Sequence, residues 1–276
     1  MRVIIIGLAA LSIVLTALPA HSASLEVYAQ QMIIARGQGT VVLTFPQGLR
    51  AVSTDGYRIS AGSGRITLRS AGFAPLPERE PTDNEQDGKP LPDLPRASFS
   101  TANVRELMFR GRPTLSSADY TVSAGSLTSS DGGLKWSIAD GVEFRSADGS
   151  KQVVRGQSFT FARKEGLLAT DQPIHLAGFA RENEATATIS SGNTVINLKS
   201  RKITLTKAAE FGFAGYRLLS ERMVIDLTEQ VLSAEGSPRF VNADSEIAAA
   251  EVRLSFTEDG VTIDATDLQG YLALRL

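Results

Sequence analysis

The chain has 276 residues, no cysteine, 28 lysines and arginines against 30 aspartates and glutamates, and 42% hydrophobic but only 7% aromatic residues. Without cysteine, no disulfide framework and no Cys-ligated metal site can form, and a balanced, scattered charge lacks the concentrated positive surface that nucleic acid requires. What remains is an aliphatic chain long enough to bury a core or to build a repetitive structure.

Arg2 precedes an apolar run at 3–18, followed by Pro19, Ala20, His21, Ser22 and Ala23. One basic residue, a short apolar core and small residues predict a secretory signal peptide over 1–22, cleaved after Ser22, and hence a periplasmic protein. Retention as an inner-membrane anchor is the other reading, although the run is shorter than the about 20 residues of a spanning helix.

From Val41 onward the dominant period is two, which predicts half-buried strands. Residues 23–71 read as a first group of strands, with Val41, Leu43 and Phe45 on one face, then Tyr57, Ile59 and Ala61, then Ile66 and Leu68. Residues 72–98 hold six of the eleven prolines and five acids between Glu78 and Asp87. Such a stretch buries too little apolar surface to offset its ordering entropy, and reads as an exposed loop within one sheet or a linker between two domains.

Residues 99–276 read as the main β domain. Two stretches have room for a short helix, 101–109 (TANVRELMF) and 221–230. The second reads as strand over 221–227, because Met223, Ile225 and Leu227 alternate strictly. The other inward faces are Leu134, Trp136 and Ile138; Val142 and Phe144; Phe159 and Phe161; Ile196 and Leu198; Ile203 and Leu205; Ala248, Ala250, Val252, Leu254 and Phe256; Val261 and Ile263; Leu272, Leu274 and Leu276. Six Asp-Gly pairs, at 55, 87, 131, 140, 148 and 259, predict tight turns between them.

Side chains able to do chemistry are scarce. His175 is the one histidine after residue 22, and no His-Glu-x-x-His, Gly-x-Ser-x-Gly or phosphate-loop pattern occurs. The acids Asp244 and Glu246, or Glu251 with Glu258 and Asp259, fall on solvent-facing strand and turn positions and do not resemble a catalytic pair. The expectation is a protein that is not an enzyme and carries no cofactor or metal.

One phrase recurs, YRISAGSG at 57–64 and YTVSAGSL at 120–127, with a looser echo, VLSAEGSP, at 231–238. Tyr, Ile or Val, and Ala share one face while Gly and Ser carry the chain onward, so the phrase reads as a strand end and its turn, repeated as rungs are repeated in a solenoid. The stretch LLSERMVIDLTEQVLSAEGSPRFVNADSEIAAAEVRLS at 218–255 resembles the OstA-like repeat of lipopolysaccharide-transport periplasmic proteins. GLLATDQPIHLAG at 166–178 is similar to a segment of the membrane-anchored member of that machine.

The resemblance implies an all-β chain, an open twisted β-jellyroll or β-solenoid-like stack of antiparallel strands with little helix beyond the signal segment. Its apolar interior would shield the acyl chains of lipopolysaccharide or a related glycolipid and pass them toward the outer membrane. It also implies head-to-tail joining to other β-jellyroll transport proteins by edge-strand pairing, with the C-terminal GYLALRL as one edge. Soluble bridge and anchored adaptor both remain open. Groove candidates are the bulky members of the regular faces: Trp136, Ile138, Phe144, Phe159, Phe161, Met223, Ile225, Leu227, Leu254 and Phe256. Two other readings stand beside this one, an outer-membrane β-barrel, against which the low aromatic content weighs, and a structural β-solenoid without lipid cargo.

Overall fold

The computed structural model describes residues 23–69, 96–147, 152–178, 187–213, 215–242, 246–257 and 260–270. These form 25 strands in one hydrogen-bonded network, with every pairing antiparallel. The expected open β-jellyroll stack is the fold. No helix among the described residues is long and apolar enough to cross a membrane. The predicted signal segment lies outside the described residues, as do the Asp-Gly pairs at 87 and 148, Asp259, and all but the first residue of GYLALRL.

The strands, numbered β1 to β25 along the chain, lie in two facing layers. In pairing order the first layer begins β7 (Arg96–Ser100), β1 (Ser24–Ala29), β4 (Leu49–Ser53), β5 (Arg58–Ala61), β9 (Thr114–Ser116) and β10 (Tyr120–Ser123). It continues through the second half of β12 (Lys135–Ser146), the first half of β13 (Val153–Ala162), β15 (Ile174–Ala177) and β16 (Ala187–Ser190). The second half of β18 (Lys202–Phe213), the first half of β19 (Tyr216–Asp226), β21 (Arg239–Val241), β22 (Glu246–Ala248) and β25 (Gln269–Gly270) complete it.

The second layer begins β2 (Ile33–Gly37), β3 (Thr40–Phe45), β6 (Ser63–Arg69), β8 (Val104–Arg110) and β11 (Ser126–Ser129). The other halves of β12 and β13 follow, then β14 (Leu167–Thr170), β17 (Asn193–Asn197) and the other halves of β18 and β19. β20 (Val231–Glu235), β23 (Glu251–Thr257) and β24 (Gly260–Thr266) end it. Strands before and after residues 70–95 share both layers, since β1 pairs β7 and β6 pairs β8.

The layers join along one edge, where the chain passes from one to the other at every rung; at the opposite edge it also passes from β7 to β8, through Thr101–Asn103. β12 does so at Asp140 and Gly141, both at positive φ (68° and 78°), and β18 does so at Lys207 and Ala208 (65° and 58°). Two successive left-handed residues turn a single strand sharply enough to serve both layers. Asp140-Gly141 is therefore a bend inside a 12-residue strand and not the predicted turn between two. Asp55-Gly56 and Asp131-Gly132 do lie in turns, with Gly56 and Gly132 at positive φ.

Both copies of the recurring phrase lie at this seam. In each, the strand of the first layer, β5 or β10, ends at Ser-Ala-Gly and resumes in the second layer as β6 or β11. The phrase is thus a corner, where the sequence suggested a strand end and turn. Gly62 donates its N–H to the Gly111 carbonyl (3.2 Å), Gly125 to that of Asp140 (3.0 Å) and Gly192 to that of Lys207 (2.8 Å). A Cβ on Gly62 would sit 2.9 Å from the Gly111 oxygen. Glycine is required because the corners of neighbouring rungs touch backbone to backbone.

Between the layers, the alternating apolar side chains form one continuous core, from Leu25 and Val27 to Leu254 and Phe256. Tyr120 of the first layer meets Phe161 of the second edge-on at 5.6 Å, and Trp136 stacks on Phe109 at 6.0 Å. Each fully buried aliphatic or aromatic side chain contributes about 1.5–3 kcal/mol. This burial holds together a chain that has no cysteine to cross-link it.

Three local expectations give way. Residues 101–109 contain a 3-10 turn, Thr101–Asn103, and then strand β8, because Val104, Leu107 and Phe109 pack inward. Leu134 is exposed in the turn before β12, while Trp136 and Ile138 are buried. Among the alanines at 248–250 it is Ala249 that is buried, because the layer crossing falls there and resets the alternation.

Candidate functional site

An open cavity of about 1440 Å³ lies at the C-terminal end of the stack. Its second-layer wall is built by register: Ala234 opposes Val252, which opposes Ala265, and in the adjacent row Leu254 opposes Ile263. Phe256 pairs with Val261 on the same face. Facing these are Phe240 and Ile247, which pair with each other, and Tyr216, stacked on Phe240 at 5.3 Å. Val261 and Ile263 keep 40% and 36% of their surface exposed although both belong to an inward face. Nothing in the described residues covers them, because β24 is the last of its layer among the described strands.

Phe211, Phe213 and Phe256 close the inner end of the cavity. Phe256 meets Phe211 at 5.9 Å and Phe213 at 5.6 Å, edge-on in both cases. Since Phe211 and Phe213 come from the first layer and Phe256 from the second, this trio spans the interior. Beyond it the core is filled.

The edge opposite the seam is lined by hairpins of both layers, is crossed by the chain at Thr101–Asn103 between β7 and β8, and carries two polar clasps. In the first, the Arg163 guanidinium pairs with Asp55, lies 4.4 Å over the Tyr57 ring, and donates through Nε to the Gly133 carbonyl (2.8 Å). Burial, partly offset by Arg163, raises the Tyr57 phenol above its ordinary value. In the second, Gln152 donates to the Leu227 carbonyl (2.7 Å) and accepts from Arg201 (3.0 Å). A small gap beside this clasp is bordered by Asp119, Phe144 and Ile196.

Of the ten groove candidates, Leu254 and Phe256 line the cavity. The structure places Trp136, Ile138, Phe144, Phe159, Phe161, Met223, Ile225 and Leu227 in the packed core upstream of the aromatic trio. Alternation does not separate the two groups, since both obey it. Val261 and Ile263 were legible as an inward face, whereas Phe240 and Ile247 lie in three-residue strands too short for a period to register.

Groups considered for chemistry are dispersed. His175 points outward between Arg155 and Thr188. Glu246 pairs with Arg239 (3.2 Å) and Glu251 is exposed on the outer face of β23, while Asp244, Glu258 and Asp259 lie outside the described residues. No three His, Asp or Glu side chains among the described residues are grouped as a metal site.

The two ends of the stack differ. At the N-terminal end β2 is the last of its layer among the described strands, and Ile33 and Ile34 are 50% and 47% exposed. The rungs there, residues 23–69 and 96–116, carry nine arginines against Glu26, Asp55 and Glu106. At the C-terminal end, residues 215–242, 246–257 and 260–270 carry four arginines against eight acids.

Neither a protein-family model nor a curated protein matches this sequence. Among solved structures, the chain is similar to LptH from Pseudomonas aeruginosa, described as the LptA-homologous periplasmic component of the conserved lipopolysaccharide transport device. The likeness has 10% sequence identity and a TM-score of 0.23, and covers 48% of this chain and 73% of that one.

Proposed function

We propose that this protein is an exported carrier that holds the acyl chains of an amphiphilic lipid, lipopolysaccharide or a related glycolipid, and passes it along a chain of similar stacks. The observation that carries the reading is the apolar cavity of about 1440 Å³, walled by both layers and open at the end of the stack. Each methylene buried there contributes about 0.8 kcal/mol, so several turns of acyl chain are held without a catalytic group. Carriage and not catalysis fits the dispersal of His175 and the acids.

Transfer onward requires contact between stacks. The outer edges of β2 and β24, against which no described strand lies, offer backbone groups for antiparallel addition, and their apolar residues, Ile33 and Ile34 against Val261 and Ile263, match across such a joint. Opposite charge at the two ends favours head-to-tail over head-to-head pairing.

The test is mass spectrometry of lipids extracted from the protein purified from its native compartment, beside an Ile263→Lys variant. The reading expects a multiply acylated glycolipid in the native sample and its loss from the variant. A second reading, a structural stack with a dry core, is favoured by the filled interior upstream of Phe211. It expects no bound lipid in either sample.

A further inference from the structure

The first-layer wall of the cavity runs across four neighbouring strands. Phe213 of β18 pairs with Tyr216 of β19, Leu218 of β19 pairs with Phe240 of β21, and Phe240 pairs with Ile247 of β22. Phe213, Tyr216, Phe240 and Ile247 all line the opening. Adjacent strands lie about 4.8 Å apart, so the wall from Phe213 to Ile247 is about 14 Å long.

Phe213 stands at the inner end of this wall. Phe211 and Phe256 are buried, whereas Phe213 keeps part of its surface exposed. Its ring is stacked on Phe211 at 6.3 Å with the planes 19° apart, and is met edge-on by Phe256 of the second layer at 5.6 Å. Phe211 is itself set between two buried strand neighbours, Ile189 and Leu218. Pushing such a ring aside opens a void that costs about as much as several buried methylenes return. The tip of an acyl chain therefore stops at Phe213.

We infer that Phe213, held by Phe211 and Phe256, is the floor of an acyl site that takes chains end-on, methyl first, and discriminates among them by length. This floor presupposes the lipid-carrying reading and adds a length limit to it. An extended chain, with C–C bonds of about 1.5 Å at about 111°, advances about 1.25 Å per carbon, so the wall accommodates about eleven carbons. Further carbons pass Ile247 into water, where no more apolar surface is buried. On the inner side of Phe213 the next strand is β16, in which Thr188 pairs with Gly212, so the position opposite Phe213 falls to the small residue Ala187. Removing the Phe213 ring thus deepens the site by one strand spacing, or about four carbons, before the buried Leu176 beside Ala187 closes it.

The test is calorimetric titration of the full chain with saturated fatty acids from octanoic to stearic. Affinity for the native chain is expected to rise about fourfold with each methylene and to level off near dodecanoic acid. In Phe213→Ala, hexadecanoic acid is expected to bind at least tenfold more tightly than dodecanoic acid. Phe213→Leu removes less volume and is expected to show part of that gain, and it replaces the alanine variant if that one lacks a cooperative unfolding transition. Native affinity that keeps climbing to stearic acid overturns the floor, as does a folded Phe213 variant that levels off where the native chain does. Either result leaves the lipid-carrying reading standing, whereas a native chain that binds no fatty acid removes that reading and the floor with it.

Discussion

Gly125 donates its N–H to the carbonyl of Asp140, and a Cβ on Gly125 would stand 2.5 Å from the Cβ of Asp140. The two residues belong to adjacent rungs crossing between the layers in opposite directions, so neither can retreat without pulling a strand out of both layers. Gly125→Val is expected to destabilise by about 1–3 kcal/mol, the usual cost of overpacking. Gly141→Ala, with nothing within 4 Å of its Cβ but φ at 78°, is expected to lose only about 1–2 kcal/mol from backbone strain. Urea unfolding of the two variants measures both.

The cavity wall and the core are separable by mutation. Leu254→Asp and Ile263→Lys are expected to weaken binding of an acyl probe at least tenfold. Met223→Ala and Ile225→Ala are expected to cost about 2–5 kcal/mol of stability and to leave binding in the C-terminal cavity intact. Equilibrium dialysis with a labelled fatty acid, set beside thermal unfolding, decides. Equal loss of binding in all four would mean that the interior from β18 to β24 acts as one site.

Alkaline pH provides a third check. Burial raises the Tyr57 and Tyr120 phenols above the ordinary value. Their neutral forms are favoured in the folded chain, so this contribution is complete below the unfolded phenol pKa of about 10 and is lost as pH rises through the folded value. Thermal stability should therefore fall above about pH 10, and the fall should be shallower in Tyr57→Phe. At neutral pH that variant is expected to be no less stable, because the Tyr57 hydroxyl is buried without a hydrogen-bond partner among the described residues, Ser53 being turned to Asp55.

Charge at the two ends predicts salt-sensitive self-association. Arginine-rich rungs at one end and acid-rich rungs at the other attract over distances that salt screens to about 10 Å at 0.1 M. Sedimentation velocity should show end-to-end association that weakens as salt is raised. Ile34→Lys is expected to reduce it at every salt concentration, since it adds a charge to the apolar part of the joint.

How much of this was legible depends on range. Period two places Leu43, Ile59, Phe161 and Met223 inward because a strand's own pleat decides it, and those assignments need no knowledge of neighbours. The corners were half legible: Ser-Ala-Gly-Ser marked a strand ending, but passage into a second layer rests on Gly62 meeting Gly111, and no local pattern encodes which glycines touch. The cavity was least legible. Leu254 and Trp136 obey the same alternation, and what separates them is that β24 is the last of its layer among the described strands, a property of the stack and not of either residue. Leu134 and Ala249 went astray for a related reason, since each lies where a turn or a crossing resets the alternation.

The bends at Asp140–Gly141 and Lys207–Ala208 allow one strand to add a rung to both layers at once. Sequence length is thereby converted into axial length in uniform steps. With neighbouring strands about 4.8 Å apart, some fourteen strands per layer measure out roughly 65 Å. The molecule is in this sense a ruler, and removing a matched pair of rungs between two corners would shorten it by about 10 Å without touching either end. Whatever the two ends hold is held at a distance set by counting corners.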